Sequence, residues 1–150
     1  MLIQQLNRTD AERVQLIVKN VDGGGSITTG MGVALVATAA SGDGAGAVRV
    51  TNTLAAQFAG VAAQDIPING FGLVTAWGFA ASVAISQSVG SYTITAGDTL
   101  RIAGAAGHFT SVIAPEAVST QMYRYVIALG ALADTMSNPR TYMSGLVRAL

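Results

Sequence analysis

Few side chains of this chain could do chemistry, and none of them sits in a pattern that chemistry requires. His108 is the single histidine, and its neighbours supply Thr110 but no carboxylate. A metal centre needs several ligands and a general base needs an orienting partner, so His108 is expected to be a surface or strand-edge residue. Asp65 and Asp98 each follow an apolar phrase, and paired carboxylates could share acid–base work. Both suit turns better, because an Asp side chain accepts hydrogen bonds from nearby backbone and Gly97-Asp98 is a hairpin signal. Asp22, Asp43 and Asp134 could offer oxygens to calcium, but no Asp-x-Asp-x-Asp spacing or following bidentate Glu accompanies them. The run from Gly42 to Gly46 lacks the Lys-Ser/Thr ending and the strand-to-helix setting of a phosphate loop. Cysteine is absent, which removes thiolate nucleophiles, disulfides and Cys-based metal sites. The sequence therefore presents no catalytic residue, no cofactor-binding motif and no metal site.

Aromatic residues are the remaining candidates. Trp77 and Phe79, with Tyr123 and Tyr125, stand at two-residue spacing and could stack on a base or a sugar. A nucleic-acid platform needs flanking Arg or Lys, so these side chains are expected in a core or an interface instead.

The elements that must position these residues are strands. Val14, Leu16 and Val18 alternate with Arg13, Gln15 and Lys19, with Ile17 the exception, as in a strand with one wet face. The glycine-rich stretch from Val21 to Ser26 reads as a flexible turn. Strands over Met31–Ala37 and Ala47–Thr51, with a loop between, read as a hairpin. One wet face returns from Ala81 to Ser86, but from Leu73 to Ala80 both parities are apolar: Leu73, Thr75, Trp77 and Phe79 against Val74, Ala76, Gly78 and Ala80. Such a strand must be covered on both faces, by a second sheet or by a neighbouring subunit. Leu100 and Ile102, then His108 to Ile113, then a face of Tyr123, Tyr125, Ile127 and Leu129, and finally Leu146 to Leu150 suggest further strands. Helix signals are weak: a capping-box form at Thr9-Asp10-Ala11-Glu12, and a short helix over Ala128–Met136 stopped by Asn138-Pro139. The expectation is an all-β fold, a small antiparallel barrel or sandwich, with an arm over residues 1–12, one β domain over 13–150 and at most one short helix.

Composition narrows the partners. Charged residues make up 11% of the 150 residues against 51% hydrophobic, and Lys19 is the only lysine. Interface cores exclude Lys and Glu, so a chain this poor in charge is expected to cover much of its surface with a partner. Its net charge is +0, with eight basic and eight acidic residues scattered singly, so binding to nucleic acid or anionic lipid is not expected. Nothing at the start resembles a secretory signal, and the apolar runs are about half the length a membrane helix needs, so synthesis in the cytoplasm is expected.

The phrases Gly60-Val61-Ala62-Ala63-Gln64-Asp65-Ile66 and Ile94-Thr95-Ala96-Gly97-Asp98-Thr99-Leu100, with the glycine-punctuated apolar run between them, give the chain its most specific resemblance. Over roughly Thr28 to Val112 their order resembles the capsid cement, or head decoration, proteins of tailed bacteriophages. That resemblance implies a non-enzymatic β protein on the outside of a phage head, bridging neighbouring major-capsid subunits, often as a homotrimer. The chain departs from the compact family pattern at Ser86 to Tyr92 and in the third after Pro115. Surfaces expected to serve the trimer or the capsid are Leu2, Ile3 and Leu6 of the arm with Val74, Ala76, Trp77 and Phe79; Asp65, Gly97 and Asp98 are expected in turns. The alternatives are a carbohydrate-binding adhesion module, which needs an exposed aromatic pair beside Asn or Asp, and a small hydrolase, which needs a cleft with two titratable groups.

Overall fold

The structure, a computed structural model, describes residues 13–36, 45–86, 93–103, 106–111, 126–132 and 141–149. Leu2, Ile3, Leu6 and the rest of the expected arm lie outside the described residues, as do Asp43, Tyr123, Tyr125 and Asp134.

Nine strands occur among the described residues: β1 (Val14–Asn20), β2 (Gly32–Val36), β3 (Ala45–Arg49), β4 (Phe58–Ala62), β5 (Phe71–Ile85), β6 (Thr99–Ile102), β7 (Phe109–Ser111), β8 (Val126–Ala128) and β9 (Thr141–Arg148). The order β1-β3-β2-β4-β5 closes on itself because β5 also pairs with β1, giving a small five-stranded barrel. The remaining strands continue from β5 through β7, β6 and β8 to β9, which returns to β5 along a long antiparallel ladder. The β5–β7 link is one parallel pair, Ile85 with Phe109. The protein is thus an all-β small barrel with added strands. Most ladders are antiparallel; β1–β3 and β5–β7 are the parallel ones.

Two cores explain why the middle of the chain is apolar on both parities. The first holds Val18, Ile27, Val33, Ala47, Ile66 and Val74; the second is built on Phe58, Val83, Leu100, Phe109, Val126 and Val147. Neighbouring residues of one strand serve different cores: Val33 and Ala34 in β2, Ala62 and Val61 in β4. These strands are shared walls, and a shared wall has no wet face to mark with polar residues. Phe109 has no exposed surface and meets Phe58 edge-on, ring centroids 5.8 Å apart.

The face expected to carry Ile127 and Leu129 is the outer one of β8: Ile127 is half-buried and Leu129 exposed, while Val126 and Ala128 are buried. Pairing decides this, since Val126 lies opposite both Leu100 and Val147. The helix expected over Ala128–Met136 does not begin there: Ala128 ends β8 and Leu132 bridges to Ile94, so strand pairing overrides the modest helix propensity of the alanines. Among the described residues the one short helix is a 3₁₀ helix over Asn52–Gln57. The glycine-rich segment after β1 is tied down by Asp22, whose Oδ1 accepts from the Gly24 amide at 2.8 Å while Oδ2 accepts from Arg49 Nε at 2.8 Å. Asn20, fully buried, donates through Nδ2 to the carbonyls of Ile66 and Gly25, which joins this turn to the loop before β5.

Candidate functional site

The β1–β5 register builds the most distinctive surface. Gln15, Ile17 and Lys19 lie opposite Thr75, Leu73 and Phe71, while Leu16 and Val18 lie opposite Val74 and Gly72. Strand alternation sends the second set inward, where Val18 and Val74 are fully buried, and the first set to the other face, where Gln15, Ile17 and Phe71 are exposed, Lys19 and Leu73 half-buried and Thr75 covered. Ile17 is 68% exposed and Phe71 50%. Lys19 Nζ stands 5.7 Å from the centre of the Phe71 ring. At the other end the Arg13 guanidinium carbon stands 5.3 Å from the centre of the Phe79 ring. Both distances suit cation–π contact. Next to Arg13 lies a shallow cleft of about 110 Å³ whose polar lining is Arg13, Gln15, Thr29, Thr75 and Ser82, with Phe79 and alanines completing it. A single positive charge and hydroxyls can hold an anion or a polar chain; they cannot exchange protons as an acid–base pair.

Val74 and Ala76 have no exposed surface at all, so their expected role in an interface is corrected: they face the protein's own interior. The cover that β5 needs on that face comes from the barrel rather than from another subunit. Trp77 and Phe79 are half-buried and lie opposite Arg148 and Leu146 of β9. The face of Phe79 that a sugar would stack on carries the Arg13 guanidinium. Asp65 is exposed and accepts from the Thr29 amide at 2.7 Å and from Thr29 Oγ1 at 2.8 Å, bonds that hold its carboxyl below the usual range. It clamps two distant loops together instead of closing its own turn. Asp98 Oδ2 accepts from the Thr95 amide at 2.8 Å, and Gly97 has φ of +96°, so these two residues form the Thr95–Asp98 turn. His108 is buried, not at the surface, and its Nδ1 lies 2.9 Å from the Ala106 carbonyl oxygen. Among the described residues, no three His, Asp or Glu side chains gather where a metal could bind.

The cations over rings were missed in the sequence. Arg13 and Lys19 were visible on the polar parity of β1, but the aromatic partners come from β5, and the register joining the two strands is set by the barrel.

No protein-family model and no curated protein matches the chain. Among solved structures, it is similar to the crystal structure of the head fiber gp8.5 N base in bacteriophage phi29, at 13% sequence identity and a TM-score of 0.54. The likeness covers 92% of this chain and 96% of that one. What the two share is the fold. Identity this low carries no residue-level role across.

Proposed function

We propose that the chain is a non-enzymatic structural protein of a tailed-phage virion, bound to the outer surface of the head, where it holds neighbouring major-capsid subunits together. The observation that carries this reading is the fold shared, over nearly the full length of both chains, with the base of a phage head fibre. The order of the Gly-Asp turn phrases in the sequence leads to the same place independently. Exposed apolar side chains at Ile17, Ile68, Phe71 and Tyr142, on a chain with one lysine, suit a protein whose working state is an assembly.

The mechanism is multivalent bridging. A protomer of 15.2 kDa offers limited contact area, but three copies around a symmetry axis engage together, so each contact raises the effective concentration of the next. Cryo-electron microscopy of the particle, with mass spectrometry of purified virions for copy number against the major capsid protein, tests the reading. Density for this fold across capsid-subunit boundaries is the expected result; purified virions without the chain would end the proposal.

A further inference from the structure

We infer that the outer face of β1 and β5 is a docking surface for an acidic, apolar-centred protein segment of the head shell, an inference that rests on the virion reading above. The centre of this face is apolar: Ile17 is exposed with Leu73 paired to it across the ladder, and Phe71, at the start of β5, is exposed beside them. Single exposed apolar residues are ordinary, but neighbours across two strands of a regular ladder form a patch that water solvates poorly. Its two ends are positive. Lys19 sits over Phe71 and Arg13 over Phe79, so each cation is held in place on a ring.

Neither cation has a carboxylate partner among the described residues, because the described acids are engaged elsewhere. Asp22 is paired with Arg49, Asp65 is bonded to Thr29 and Asp98 to Thr95. Among the described residues the positive charge on this face is thus left uncompensated, which suits a partner that brings carboxylates. From Arg13 to Lys19 the strand spans roughly 20 Å at about 3.3 Å per residue, the length of an extended segment of about six residues. A partner that fits carries an apolar side chain between carboxylates. A second copy docking by the same face would set cations against cations, and two cations flanking an apolar floor are too few to track a phosphate backbone.

Binding to purified heads that lack this protein, read by co-sedimentation across salt concentration, tests the face. The wild-type chain is expected to bind and to weaken as salt rises from about 0.05 to about 0.5 M, as screened charge pairs do. Arg13→Glu with Lys19→Glu should weaken binding at least about tenfold and remove most of the salt dependence, and Ile17→Asp should weaken it comparably. Each variant should keep the wild-type melting temperature, since all three side chains lie outside the cores. Wild-type binding that the double variant retains would overturn the docking face and leave the virion reading standing. A wild-type chain that does not bind heads would overturn both. Variants that change the protein's mass in solution, with head binding intact, would reassign the face to contact between copies and overturn the inference.

Discussion

Asp22 is the most heavily engaged carboxylate among the described residues: it accepts from Arg49 Nε, from the Arg49 amide and from the Gly24 amide. The hydrogen bond from the Arg49 side chain, with the two backbone bonds, holds its pKa down at about 2. Because the folded-state value lies below the ordinary carboxylate value, the stability from this pair is complete above about pH 4 and fades as pH falls toward 2. Asp22→Asn is expected to cost about 1–2 kcal/mol at pH 7, the partial exposure of the pair keeping the figure small, and urea titrations should show the gap closing over that acid range. A gap that persists unchanged at pH 2 would mean that shape, not charge, ties down the glycine-rich turn. Core aromatics rank differently from what the sequence suggests. Trp77 is half-buried whereas Phe109 is wholly enclosed. Phe109→Ala should cost about 3–5 kcal/mol and Trp77→Ala clearly less, a ranking that denaturant midpoints check directly.

Within β4, Gly60 shows how an element can depend on a missing side chain. Its φ is +148°, and a Cβ there would overlap the Thr75 carbonyl oxygen of β5. Gly60→Ala must therefore push β4 away from β5 at the ladder that helps to close the barrel, and a loss of more than about 2 kcal/mol is expected in thermal melts. A melting point equal to wild type would show that β4 docks on β5 without that close approach. The strands were legible to the extent that their two faces differ in wetness. β1 alternates because one side faces water, and the β2–β3 hairpin stands out between loop signals. β5 was legible as a strand but not in its surroundings: apolar residues on both parities require cover, and nothing in their spacing distinguishes a second core of the same chain from a neighbouring subunit. β8 was legible as a strand, but not which of its faces is inner, for the same reason. Both parities of Val126, Ile127, Ala128 and Leu129 are apolar, so the choice of inner face falls to the pairing with Leu100 and Val147, which no local pattern records. Sequence placed Trp77 and Phe79 on a strand that must be covered on both faces, yet Arg13 and Lys19 acquire their meaning only once β1 lies beside β5.

Across the whole molecule, β5 is the common strand: β1 and β4 pair with its first half, β9 and β7 with its second. A strand that serves both cores leaves neither able to melt alone. Far-ultraviolet dichroism and Trp77 fluorescence should therefore report one coincident transition in denaturant; separated midpoints would reveal two independently stable halves. The same strand also orders events during synthesis. All five strands of the closed barrel lie between Val14 and Ile85, so their ladders can begin to pair before β9 is made, although the ring is not stable until β9 has docked. The second half of β5 must then wait for Thr141–Arg148, the last in sequence of the described strands, and the long loop this closes makes it a slow step. Trp77, paired to Val14 on one strand and to Arg148 on another, sits where early and late ladders meet. Its refolding signal in stopped flow of the full chain should therefore be biphasic, a fast phase reporting the β1 ladder and a slow phase reporting the β9 ladder; a single phase would mean that both ladders form together.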